Sequence, residues 1–183
     1  MTMTDFSIVL AGFGGQGILS AGRIITAAAL AEGREVSWFP SYGPEMRGGT
    51  ANCSVVISYE PIGSPIIAEA DVLIALNGPS LDKFASIVKP GGLIILDSTL
   101  VPHLPARKDV RVFPIPASGL ASEQGNMAFA AVILLGCLME QTACFRRDSF
   151  AQALADTLPA RHHHLIPTEM QAFDQGRTFP PAG

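Results

Sequence analysis

F-S-I-V-L-A-G-F-G-G-Q-G, from Phe6 to Gly17, joins a short strand to a glycine loop. Phe6 to Leu10 is an apolar run with β-branched residues, as a strand buried on both faces should be. Gly12, Gly14 and Gly17 follow at G-x-G-x-x-G spacing, and Ile18 onward can run as a helix. Glycines suit such a turn because they allow φ > 0 and, lacking Cβ, let a ligand or a helix approach the backbone. The free N–H groups and positive dipole end of the following helix favour an anion, by roughly 0.3–1 kcal/mol for the dipole alone. Phosphate is the first candidate.

Downstream, Ile18 to Ala31 sets Ile18, Ala21, Ile25, Ala28 and Ala29 near one face, with Gly33 as its stop. Val36 to Phe39 reads as a second strand cut off by Pro40, completing a βαβ unit with a right-handed crossover. Ala51 to Ser58, Val72 to Leu76, Leu93 to Leu96 and Val110 to Phe113 read as further strands, and Pro79 to Val88 as a helix. From Ala117 the pattern is helical. Asn126 can cap a helix from Met127 to about Gln141, Asp148 opens another through Leu158, and Pro167 to Gly176 is the last, with its glycine as a stop. This alternation predicts an α/β fold: a Rossmann-like open, mostly parallel sheet with helices on both faces and a helical C-terminal part. The 183 residues fit a single domain, 1–183, with a flexible tail from about 178.

Composition removes several classes of function. The net charge is −4 and no Lys/Arg cluster offers a nucleic-acid surface. The longest apolar run, Met127 to Met139, is too short and too interrupted by Gly136 to span a bilayer, and no basic-headed signal precedes the first strand. A cytoplasmic location is expected. Cys53, Cys137 and Cys144 form neither a disulfide framework nor a C-x-x-C site, so they read as small buried residues. Only 15% of residues are charged, which fits either a large subunit interface or a well-packed, Ala- and Gly-rich domain.

In an open sheet of this kind ligands bind outside the carboxyl ends of the strands. Gly12 to Gly17, Ser41 to Thr50, Asn77 to Ser80 and Asp97 to Thr99 collect there. A dinucleotide site would want a carboxylate at the end of the second strand, where the chain reads Phe39-Pro40-Ser41. NAD therefore fits poorly, while glycines kept for strand–helix packing, or for another phosphate-bearing ligand, both stand. His162, His163 and His164 are consecutive and would point in different directions on a helix, which favours a solvated face over a metal site. Glu45 and Arg47 can serve each other as readily as a substrate or partner.

The motifs G-F-G-G-Q-G-I-L-S-A-G at 12–22, S-Y-G-P-E-M-R-G-G-T-A-N-C at 41–53 and N-M-A-F-A-A-V-I-L-L-G at 126–136 resemble the gamma subunit of 2-oxoacid:ferredoxin oxidoreductases. M-Q-A-F-D-Q-G at 170–176 is similar to that family's last helix, so the resemblance covers nearly the whole chain. E-M-R-G-G-T-A-N looks most like the branch acting on 2-oxoglutarate or related 2-oxoacids. The resemblance implies a subunit of an oxidoreductase that turns a 2-oxoacid and coenzyme A into acyl-CoA and reduces ferredoxin, the isolated chain being inactive. It implies alpha and beta partner subunits, with or without a delta chain, that carry thiamine diphosphate, magnesium and the iron–sulfur clusters, and it assigns no catalytic residue or metal ligand to this chain. Carried over by position, Gly12, Gly14, Gly15, Gln16 and Gly17 are expected near the CoA phosphates, with Arg47 as a further phosphate or partner contact. Tyr42, Glu45, Gly48 and Gly49 are expected along the interface with the thiamine-bearing subunits. An indolepyruvate-type subunit and a stand-alone, homodimeric Rossmann-like nucleotide sensor remain as alternatives.

Overall fold

Phe6–Gly12 forms β1, an interior strand of a six-stranded sheet whose order is β2-β3-β1-β4-β5-β6. The computed structural model describes residues 5–41 and 51–180. Behind β1 comes α1 (Ile18–Ala31), with the bounds its apolar spacing predicts. Two backbone bonds close the helix at Gly33: its N–H donates to Leu30 O at 2.9 Å and the Arg34 N–H to Ala29 O at 3.2 Å. That pair is the usual way a glycine ends a helix.

The next two strands depart from the sequence reading. β2 (Glu35–Ser41) and β3 (Ala51–Ser58) pair antiparallel, and β3 pairs antiparallel with β1, so it enters the sheet between β1 and β2. Residues 42–50 are too few for a parallel crossover, which needs a dozen or more. Pro40 does not cut β2 off. It lies within an edge strand, where a missing N–H can face solvent at no cost to the ladder. β4 (Ala70–Ala75), β5 (Val88–Asp97) and β6 (Arg111–Ile115) then extend the other side in parallel. With β2 running in the sense of β1, the sheet is mostly parallel as expected.

Alternate residues feed two cores. Val9, Ala11, Leu73, Ala75, Ile94 and Leu96 pack with Leu81 of α2 (Gly78–Phe84). Ile8, Leu10, Cys53, Val55, Ile74 and Ile95 face the opposite layer, made by α1, α3 (Ala117–Glu123), α4 (Phe129–Thr142), α5 (Arg147–Thr157) and α6 (Ile166–Arg177). α1 lies close on the sheet because residue 22 is glycine: a Cβ there would come within 2.7 Å of Cys53 Sγ and 2.8 Å of Trp38 Nε1. In α4, every residue from Phe129 to Leu138 is buried, as in a helix enclosed by its own protein. Among the described residues no helix is long and apolar enough to cross a membrane.

Other element ends also differ from expectation: α4 begins at Phe129 rather than Met127 and has Ala128 as its N-cap, while the Asn126 side chain accepts from the Ala128 N–H at 3.1 Å just ahead of the helix. The helix read through Val88 stops at Phe84, passes through a short 3-10 turn, and gives way to β5 at Val88. Gly176 does not stop the last helix, which continues to Arg177. Phe179 beyond it still packs against the core.

Candidate anion site at the carboxyl edge of the sheet

The parallel strands deliver Gly12, Asn77, Asp97 and Pro116 to one edge, with Leu76 N–H donating to Ala11 O at 2.9 Å and Ser98 N–H to Ile115 O at 2.8 Å. After β1 the chain moves to α1 on one face, and after β4 to α2 on the other, so a crevice opens between these adjacent strands. This is where α/β sheets take ligands.

The glycine loop occupies that crevice. Gly15 and Gly17 have φ of 89° and 79°, values that strain a residue with a Cβ. Gly14 is exposed, and a Cβ on it would meet nothing within 4 Å. Gly17 is the N-cap of α1, and no side chain caps that helix. No acidic residue lies in its first turn either. Among the described residues the N–H groups of Gly14, Gly15 and Gly17 have no hydrogen-bond partner. An anion is the ligand such a turn suits.

Gln16 does something its position in the motif does not disclose. Its Oε1 accepts from the Phe13 N–H at 2.6 Å and from Asn77 Nδ2 at 3.2 Å, while its Nε2 donates to Leu76 O at 3.2 Å. Asn77, 2% exposed, also caps α2 by accepting from the Ser80 N–H at 2.8 Å. Asn77 before Gly78-Pro79 is a sequence signal for such a cap. Farther along the edge, fully buried Asp97 accepts from the Ser118 hydroxyl, from the Ser118 N–H at 3.2 Å and from the Thr99 N–H at 3.1 Å. It ties β5 to α3, a role nothing in the spacing announces. Tyr42, Glu45, Arg47, Gly48 and Gly49 lie outside the described residues. Ser41 and Ala51, which flank that stretch, are at this same edge, and Ala51 pairs with Gly12.

A family model for pyruvate ferredoxin/flavodoxin oxidoreductases matches residues 7–179. The chain belongs to that family. It is 48% identical over 173 residues to the ketoisovalerate oxidoreductase subunit VorA of Methanothermobacter thermautotrophicus, a match covering 94% of this chain and 36% of the relative. The chain thus spans about a third of that relative's length. To the 2-oxoglutarate synthase subunit KorC of Methanocaldococcus jannaschii it is 39% identical over 156 residues, 83% of each chain. Among solved structures, the 2-oxoglutarate:ferredoxin oxidoreductase of Magnetococcus marinus superposes with a TM-score of 0.84 and 29% identity over 94% of this chain and 30% of that one. That structure holds 2-oxoglutarate, coenzyme A and succinyl-CoA.

Among the described residues no group of three or more His, Cys, Asp or Glu is placed to hold a metal ion. Burial pushes the Cys53 thiol up to about 11 and the Cys137 and Cys144 thiols to about 12. His162 to His164 occupy a 3-10 turn, where His163 Nε2 is 2.9 Å from Leu158 O. The strand order also bears on a dinucleotide. With β3 inserted, the end of β2 stands two strand spacings from β1, about 10 Å, on the far side of β3.

Proposed function

We propose that this chain is the gamma subunit of a 2-oxoacid:ferredoxin oxidoreductase and that its loop from Gly12 to Gly17 receives the phosphate groups of coenzyme A. The observation that carries the reading is the N-terminus of α1: it is uncapped and has no acidic residue in its first turn, and the N–H groups of Gly14, Gly15 and Gly17 lack partners among the described residues. A phosphate accepts from such donors and gains from the helix dipole. CoA also fits a site with no carboxylate placed for the ribose of NAD. The coenzyme A bound in the Magnetococcus relative supports the choice of ligand. The 39% identity to a KorC subunit supports the subunit reading.

In the assembled enzyme, thiamine diphosphate with its magnesium, held by the alpha and beta chains, would supply decarboxylation, and iron–sulfur clusters, held by the beta chain or a delta chain, would supply electron transfer to ferredoxin in the cytoplasm. This chain binds and orients. Arg47 adds the cation that the loop itself lacks, towards a CoA phosphate or a partner carboxylate. The 2-oxoacid of first choice is 2-oxoglutarate, on the E-M-R-G-G-T-A-N motif. A second reading, ketoisovalerate, is favoured by the 48% identity to VorA.

The test is to isolate the chain with its partners from its native host without oxygen. The preparation is assayed for thiamine, iron and CoA-dependent reduction of a ferredoxin substitute by 2-oxoglutarate, ketoisovalerate and arylpyruvates. Larger partners, both cofactors and 2-oxoacid-driven reduction are expected. Recovery of the chain alone, with neither cofactor nor activity, overturns the reading and favours a nucleotide sensor.

A further inference from the structure

We infer that Gln16 and Asn77 act as a positioning pair that sets the glycine loop for its ligand, an inference resting on the proposal that this loop takes CoA phosphates. The Gln16 carboxamide spans the crevice between β1 and β4. Its oxygen accepts from Phe13 N–H of its own loop and from Asn77 Nδ2, and its nitrogen donates to Leu76 O. Three of its four hydrogen-bonding positions are thereby committed to protein. It is a brace before it is a ligand contact. Gly12 makes room for the brace, because a Cβ there would stand 2.7 Å from Gln16 Oε1 and 3.0 Å from Ile18 Cδ1.

Asn77 is the fixed end. It is 2% exposed, so it does not reach the ligand. Its Oδ1 is held by the Ser80 N–H at 2.8 Å, which turns its Nδ2 towards Gln16. The chain of contacts runs from α2 through Asn77 and Gln16 to Phe13 N–H, and it fixes the turn that presents Gly14 and Gly15.

The pair is tested in the assembled enzyme with Asn77→Ser, Gln16→Met and the double variant. Serine still caps α2 but is too short to reach Gln16. Asn77→Ser, which removes only the bond to Gln16, is expected to raise the KM for CoA about threefold to tenfold, the size of one neutral hydrogen bond, and Gln16→Met, which removes all three bonds of the brace, at least as much. The KM for the 2-oxoacid and the thermal midpoint should stay near those of the parent. The double variant should be no worse than the weaker single one, since either change breaks the same brace. An unchanged CoA KM in either single variant, or effects that multiply, overturns the inference. Gly14→Val, which puts a side chain in the path of the phosphate, separates the two levels. If it raises the CoA KM and Asn77→Ser does not, the brace fails alone; if neither does, the CoA reading of the loop fails too.

Discussion

Gly136 of α4 and Gly176 of α6 meet where the two helix backbones touch: a Cβ on Gly136 would fall on the carbonyl of Phe173, and one on Gly176 on the carbonyl of Ile133. Neither neighbour is a side chain that can swing aside. Gly136→Ala or Gly176→Ala is therefore expected to destabilise the fold by about 3 kcal/mol or more, at or beyond the upper end of ordinary overpacking. Gly63→Ala, where nothing lies within 4 Å, should stay within about 0.5 kcal/mol of the parent. Urea denaturation of the three variants checks both statements.

Gly14→Ala separates stability from binding. A Cβ at residue 14 meets nothing within 4 Å and its φ is not positive, so the unfolding midpoint should hold. The added methyl stands beside N–H groups that have no partner among the described residues, so the CoA KM of the assembled enzyme should rise. A variant that melts early would show that Gly14 serves the fold.

Arg47→Ala in the assembled enzyme should raise the CoA KM about tenfold or more, as loss of a charge-assisted hydrogen bond does. An unchanged KM together with unchanged subunit assembly removes Arg47 from the site.

Glu169 sits 7% exposed in the first turn of α6 without a hydrogen-bond partner among the described residues, and burial holds its carboxyl above the ordinary 4.5. The unfolded chain ionises it first. Its share of stability is complete below pH 4.5 and is lost as the pH rises through the higher folded value. Glu169→Gln should therefore be more stable than the parent at neutral pH, with the gap opening over that window and constant above it. Parallel stability curves for the two proteins would contradict this.

With their pKa values raised to about 11 and 12, Cys53, Cys137 and Cys144 carry almost no thiolate at neutral pH and are buried. A disulfide reagent should titrate none of them in the native protein and all three after denaturation. A rapid native equivalent would mean that the layer covering one of them, on β3, in α4 or just after α4, opens readily.

Local pattern carried some elements to the residue and others not at all. α1 is legible because apolar spacing and the Gly33 stop agree, so Ile18 and Ala31 are fixed by local terms alone. β3 is legible as a strand but not in direction, since alternation along Ala51 to Ser58 is the same either way; the brevity of 42–50 was the available signal. Gly176 has two uses, helix stop and close contact, and only the packing of α4 tells which applies. At the site, the glycines could be read from spacing, whereas the hold of Asn77 on Gln16 joins residues 61 apart in the chain. That kind of partnership is created by the sheet order.

The close seating of α1 has an optical consequence. Trp38 is the sole tryptophan of the chain, and its indole nitrogen is buried against α1 at Gly22, beside the Cys53 sulfur. The helix that begins at the glycine loop thus rests on the protein's one strong fluorophore. Any event that lifts α1 from the sheet wets the indole and shifts its emission to longer wavelength. The protein carries its own reporter of that seam, with no label to attach.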